Sequence, residues 1–166
     1  MLEIGPLAED DPPIIEAAFA AMGWTKPAAQ YARYLDEQTA GDRPVLVARL
    51  DGVFAGYLTI KWEPTYRAFR AAGVPEIQDF NVLARVRRQG IGSRLMDAAE
   101  ALIAERSPVA GIGVGLGPDY GPAQRLYVLR GYLPDGRGIA WNGTNVSPGQ
   151  TVEVDDELAL YFTKAL

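Results

Sequence analysis

Cysteine and histidine are both absent from the chain, and these two gaps narrow its chemistry more than any residue present. Without a thiol there is no disulfide and no cysteine nucleophile; without imidazole there is no Ser-His-Asp triad and no Cys/His zinc site. Any catalysis falls to carboxylates, tyrosine hydroxyls, lysines, Ser/Thr hydroxyls or backbone amides. Also missing is an apolar run of about eighteen residues that could span a bilayer. The amino terminus MLEIGPLAEDD lacks the basic-then-apolar order of an export signal. A cytoplasmic protein with no membrane partner is the expectation. An excess of positive charge is lacking too: the net charge of −5 disfavours a broad electrostatic grip on nucleic acid.

What is present suits one domain over residues 1–166, with no internal repeat, charge block or low-complexity linker. Asp10-Asp11-Pro12-Pro13 supplies capping carboxylates and first-turn prolines, so IIEAAFAAMG reads as a short helix ended by Gly23. Trp24 to Thr39 reads as a second, entered through Pro27 and carrying Tyr31, Tyr34 and Leu35 on neighbouring turns. VLVARL and VFAGYLTIKWE, joined by Asp51-Gly52, form a hairpin signal, since a two-residue type I′ turn needs positive φ at both central positions. PTYRAFRAAGVP has no readable period. EIQDFNVL, Glu76 to Leu83, reads as a strand, followed by a helix from about Ile91 to Arg106 with Leu95, Ala99, Leu102 and Arg106 on one face and Met96 and Ile103 widening it. VAGIGVGLG alternates Ile112, Val114 and Leu116 with glycines, a strand with one bare face. PAQRLYVLRGY gives a short helix closed by Gly131, WNG marks a turn, and LALYFTKAL ends the chain as a strand. The order of elements predicts an α/β fold with a mixed sheet.

Between the third predicted strand and the long helix lies Arg87-Arg88-Gln89-Gly90-Ile91-Gly92, with Arg85 and Arg94 close by. A dinucleotide fingerprint needs a third glycine where Leu95 stands, and a Walker loop needs Gly-Lys-Ser/Thr. The remaining functional reading is a glycine turn that bares successive N–H groups at a helix amino terminus, where the dipole favours an anion such as a diphosphate. A solvated charged face with ordinary glycines is the bland alternative.

Arg/Gln-x-x-Gly-x-Gly after a strand, followed further on by Leu126-Tyr127-x-x-x-Gly131-Tyr132, resembles the two signature motifs of the GNAT superfamily of acyl-CoA N-acyltransferases. The likeness runs from about Glu76 to the C-terminus. DYGPAQRLYVLRGYLPDGRG and DDELALYFTKAL resemble a bacterial subgroup of that family. One departure stands out. Where the family often has Asn three residues before the alanine that is here Ala123, this chain has Tyr120, which puts that asparagine's cofactor contact in doubt.

The resemblance implies a mostly antiparallel central sheet with splayed middle strands flanked by helices, and acetyl-CoA as cofactor. Arg87, Arg88, Gln89, Gly90, Ile91, Gly92 and Ser93 would hold its diphosphate, Val82 and Leu83 would run beside its pantetheine, and Ala123 would lie against it. The glycine face of GIGVGLG would then leave room for the cofactor arm, with close sheet packing as the equally available reading. The resemblance further implies an N-acetyltransferase acting on a small-molecule or protein amine, with Tyr127 giving a proton to the leaving sulfur. With histidine absent a carboxylate would serve as base. Glu76 is the first choice and Asp79 the second, and strand alternation would turn these two to opposite faces. No metal is required, and without cysteine direct transfer in a ternary complex is expected. Trp62, Tyr66, Phe69, Trp141 and the loop NGTNVSPGQTVEVDD could line the acceptor side, where Glu63, Glu76, Asp155 and Asp156 would favour a cation. An acyl-CoA sensor that binds but does not catalyse is the rival reading. The apolar last strand suits pairing with a second copy as well as burial within one sheet.

Overall fold

The computed structural model describes residues 1–166. Eight strands and five helices follow one another as β1 (Leu2–Pro6), α1 (Asp11–Ala20), α2 (Ala28–Thr39), β2 (Val45–Leu50), β3 (Val53–Lys61), α3 (Arg67–Ala72), β4 (Glu76–Val82), α4 (Ile91–Ala104), β5 (Val109–Gly115), α5 (Gly121–Leu129), β6 (Leu133–Trp141), β7 (Thr144–Asn145) and β8 (Leu158–Ala165). The fold is α/β with a mixed sheet. No helix is long and apolar enough to cross a membrane. The chain divides into two compact units, Met1–Lys61 with Gln78–Leu102 and Trp62–Ile77 with Ile103–Leu166.

In the first unit the hydrogen-bonded order is β1-β2-β3-β4, with β1–β2 and β2–β3 antiparallel. The β2–β3 turn is the type I′ hairpin that Asp51-Gly52 announces, with φ of 51° and 78°. Helices α1 and α2 bury Ile15, Phe19, Tyr31 and Tyr34 with Val47 and Tyr57 of the hairpin. Helix α1 starts earlier than its apolar run suggests, and its capping differs from expectation. Asp10 makes no side-chain cap, whereas Oδ2 of Asp11 accepts the Ala8 N–H at 2.7 Å and Arg49 Nη2 at 2.5 Å. Trp24 to Pro27 stays outside the second helix, which begins after Pro27. The buried side of α4 is Leu95, Met96, Ala99 and Ile103, all at 0% exposure. Leu102 and Arg106 fall at its margin or outside it.

In the second unit the order is β4-β5-β8-β6-β7. The β4–β5 pair is parallel over Glu76↔Gly111 and Ile77↔Ile112, and the remaining pairs are antiparallel. Three elements had no readable signal. Strand β1 is five residues ending in Gly-Pro, and it is a strand because β2 offers it an edge. Helix α3 is a six-residue turn closed by Gly73 at φ 65°. Strand β6 contains Pro134, Gly136 and Gly138, which read as turn residues. It carries a register break between Pro134 and Ile139 with both glycines at positive φ, so β8, not propensity, makes it a strand.

Candidate active site

The glycine loop belongs to the first unit and is built from left-handed backbone. Arg88 at φ 60° and Gly90 at φ 79° turn the chain into α4, whose first intrahelical return is Arg94 N–H to the Gly90 carbonyl at 3.0 Å. The N–H groups of Ile91, Gly92 and Ser93 therefore precede the helical ladder, at the positive end of a 14-residue helix. Arg85, Arg88 and Arg94 are exposed and take part in none of the chain's ion pairs. A Cβ on Gly90 would meet nothing, so open space lies in front of the turn. Gly92 differs: a Cβ there would stand 3.2 Å from the Phe80 ring, so its bareness also serves the packing of α4 on β4. Gln89 is exposed and Ile91 is buried at 2%. These residues fit a diphosphate, since a helix amino terminus with no acidic residue in its first turn stands beside exposed arginines.

At the end of β4 the main chain is largely engaged. The Leu83 N–H donates to the Ala55 carbonyl at 2.9 Å and the Leu83 carbonyl accepts from Val86 N–H at 3.0 Å. The Val82 carbonyl accepts from Arg87 Nε at 3.0 Å, so this arginine folds back on the strand. Gly56 on β3 permits a close approach, for a Cβ there would lie 2.5 Å from the Asn81 carbonyl oxygen.

Asp79 is the third component. Its φ of 47° interrupts β4, so the alternation that would set it on the face opposite Glu76 does not hold through this residue. The carboxylate receives five donors. Oδ1 accepts from Lys26 Nζ at 2.8 Å and Asn81 Nδ2 at 2.9 Å; Oδ2 accepts from the Tyr57 hydroxyl at 2.5 Å, Gln30 Nε2 at 2.9 Å and the Tyr34 hydroxyl at 3.2 Å. Tyr31 donates to the Tyr57 oxygen at 3.1 Å. Burial, followed by the charge of Asp79, pushes the Tyr57 phenol far above the ordinary phenol range. The Tyr34 phenol is pushed up to about 12 by the same causes in the same order, against the pull of Arg43. Lys26, Gln30 and Tyr57 carried no motif in the sequence. They come from the α1–α2 turn, α2 and β3, and only folding brings them together.

The second unit holds Glu76 and Tyr127. Glu76 is buried at 5% exposure at the start of β4, and its charge is among the influences that raise the Tyr161 phenol, after burial. Tyr127 lies at 4% exposure on α5; burial and then the neighbouring Tyr120 hydroxyl push its phenol up, so it is a protonated group at neutral pH. Tyr120 donates to Asp156 Oδ1 at 2.7 Å. Ala123 sits half-buried in the first turn of α5.

The bare face of β5 is not an empty channel. A Cβ on Gly111 would stand 2.4 Å from the Phe69 ring, on Gly113 2.8 Å from Tyr161, and on Gly115 2.4 Å from Tyr120. The missing side chains make room for three aromatic rings, so of the two readings the sequence left open for these glycines the structure favours close packing over room for a cofactor arm. Tyr66 stacks on Tyr161 at 3.7 Å and 6° and donates to Asp135 Oδ2 at 2.7 Å. Tyr66 and Phe69, expected as acceptor-side candidates, are thus core. Trp141 donates from Nε1 to Asp155 at 3.1 Å. Trp62 lines a cleft of about 490 Å³ with Glu63, Arg70 and Arg106, and the Arg106 guanidinium lies 4.5 Å over its ring. An apolar groove of about 380 Å³ under α5, lined by Val114, Leu116, Val128, Leu160 and Phe162, had no sequence signature.

Comparison with known proteins agrees with this layout. Across 99% of both chains the fold matches a ribosomal-protein-alanine N-acetyltransferase from Brucella melitensis, at 21% identity and a TM-score of 0.70. An N-acetyltransferase from Staphylococcus aureus matches at 15% identity and a TM-score of 0.71, over 99% of this chain and 98% of that one. A PaiA N-acetyltransferase from Thermoplasma acidophilum, solved in complex with coenzyme A, matches at 11% identity and a TM-score of 0.69, over 100% of this chain and 99% of that one. At these identities the likeness speaks for the fold alone. No curated protein matches the sequence. The model of the acetyltransferase (GNAT) family does match, over residues 12–132, and the chain belongs to that family.

Proposed function

We propose that the protein transfers an acetyl group from acetyl-CoA directly to a primary amine of a small molecule or a protein. The observation that carries this reading is the left-handed turn at Arg88 and Gly90, which leads into the amino terminus of α4 with the exposed side chains of Arg85, Arg88 and Arg94 beside it. When bound, acetyl-CoA would supply an activated thioester.

The chain's own residues divide the remaining work. Arg88, Gln89, Gly90 and the α4 amides hold the diphosphate, and Ala123 on α5 supplies a small side chain against the cofactor. Val82 and Leu83 flank the pantetheine, and pairing along Val82 would displace the Arg87 side chain from its carbonyl. Glu76, or Asp79 in its place, takes the proton that the amine must lose, and Tyr127 holds a proton for the departing sulfur. The Leu83 N–H is already bonded to Ala55, so carbonyl polarisation would fall to an amide within β4. With no cysteine in the chain there is no thiol to carry an acyl group, which supports direct transfer.

Calorimetric titration with coenzyme A and with pantetheine tests the reading. Coenzyme A should bind and pantetheine, lacking the diphosphate, should not. Equal affinity for the two, or no binding of either, would overturn it. Because the protein has no thiol, a thiol-reactive dye then reports released coenzyme A across a panel of amines without protein background.

A further inference from the structure

The Asp79 carboxylate and the rings around it form a receptor for an ammonium ion, and the ammonium in it belongs to the chain. Lys26 Nζ lies 2.8 Å from Asp79 Oδ1 and 3.1 Å from the Tyr57 oxygen, 5.5 Å from the Phe19 ring centroid and 5.7 Å from that of Tyr57. Carboxylate, hydroxyl and two aromatic faces are the groups that recognise an alkylammonium. The side chains of Lys26 and Asp79 are each 19% exposed, so the pair is reachable from solvent. Gln30, Tyr34, Tyr57 and Asn81 hold the carboxylate independently of Lys26.

Lys26 itself is loosely mounted. It stands in the turn between α1 and α2, after Gly23 at φ 77° and before Pro27. Backbone hydrogen bonds of this turn end at the Trp24 N–H and resume with Gln30 N–H to the Pro27 carbonyl. The lysine is therefore held through its side chain, and removing it from the cage breaks no backbone ladder.

The position along β4 gives the cage a role, and this step rests on the proposed acetyl transfer. With the diphosphate at Arg88–Ser93, a pantetheine beside Val82 runs back toward the start of β4. Three strand residues, about 10 Å, bring it to the level of Asp79. We propose that the Asp79 cage is the acceptor subsite for the ammonium end of an unbranched primary alkylamine, and that Lys26 is its resident competitor, which the acceptor displaces.

Titration of the cofactor-free protein with n-butylammonium chloride tests the cage, with folding followed by circular dichroism. Lys26→Ala, or Lys26→Ser as a second short variant, should bind n-butylammonium about tenfold more tightly than the wild type, because the competing occupant is gone. Lys26→Met keeps the cage filled without charge and should show no gain. Lys26→Ala with Asp79→Asn should lose the binding. In the acetyl-CoA assay, Lys26→Ala should lower the KM for the amine about tenfold with little change in kcat. Parallel arms with n-butylamine and Nα-acetyl-lysine amide separate a free alkylamine from a protein lysine. No gain in n-butylammonium affinity, or a gain without a fall in KM, overturns the proposal. Failure of coenzyme A to bind any of the proteins would overturn the acetyl-transfer reading instead, and the acceptor role with it, while the cofactor-free titration still decides whether the cage takes an alkylammonium.

Discussion

The Tyr57 hydroxyl donates a 2.5 Å hydrogen bond to Asp79 Oδ2 while its oxygen accepts from Tyr31 and Lys26. Its phenol is raised so far by burial and by Asp79 that it donates throughout the neutral range. Tyr57→Phe removes the shortest donor to Asp79 and leaves Tyr31 without its acceptor. Urea unfolding should show a loss of about 1–3 kcal/mol; an unchanged midpoint would mean that the network tolerates the gap.

Tyr34 sets an alkaline limit on the same network. Its folded phenol is pushed up to about 12, above the ordinary phenol value of 10.0. A raised phenol stabilises the fold fully below the unfolded value and loses that contribution as pH climbs through the folded one. Stability should therefore fall between pH 10 and about 12. Tyr34→Phe should make that limb shallower without abolishing it, because the raised phenols of Tyr57 and Tyr127 add to the same fall, and should run parallel to the wild type below it, as read by denaturation at stepped pH.

The two loop glycines should fail differently. Gly92→Glu brings a carboxylate to the helix amino terminus and a Cβ 3.2 Å from Phe80; coenzyme A binding should vanish by calorimetry with the circular dichroism spectrum retained. Gly90→Ala has open space but a φ of 79°, so it should lose about 1–2 kcal/mol of stability from the left-handed backbone and weaken binding only through that strain.

Tyr127→Phe should lower kcat about a hundredfold or more and leave coenzyme A affinity unchanged. Burial and Tyr120 keep the phenol protonated, so it can act as an acid. An equal fall in affinity would make Tyr127 a binding residue.

The glycine face of β5 can be tested by stability alone. Gly111→Ala drives a methyl to 2.4 Å from the Phe69 ring, which is itself 3% exposed and cannot retreat. Overpacking of about 1–3 kcal/mol should appear in thermal unfolding. A wild-type melting temperature would restore the empty-channel reading.

What could be read from the sequence was local. Asp51-Gly52 declares its hairpin because only a type I′ turn asks for two positive φ angles in sequence. Gly90 and Gly92, set between a strand and an apolar period, declare a helix entry. Asp79 does not declare its left-handed backbone, since an aspartate inside a strand-like run has no neighbour that signals a bulge. Nor could its partners be named: Lys26, Gln30, Tyr34 and Tyr57 are ordinary residues of a turn, a helix and a strand until tertiary packing gathers them. Strand β6 was hidden for the opposite reason, because its proline and glycines speak for a turn and only pairing with β8 overrules them.

The three rings seated over Gly111, Gly113 and Gly115 bind the history of two columns together. A side chain can grow on β5 only if the ring above it, Phe69, Tyr161 or Tyr120, shifts or shrinks. Growth of a side chain at this face therefore waits on a smaller partner. Among diverged copies of this chain, a larger residue at 111, 113 or 115 should come with a smaller one at 69, 161 or 120 respectively, while growth at the glycine alone is closed off.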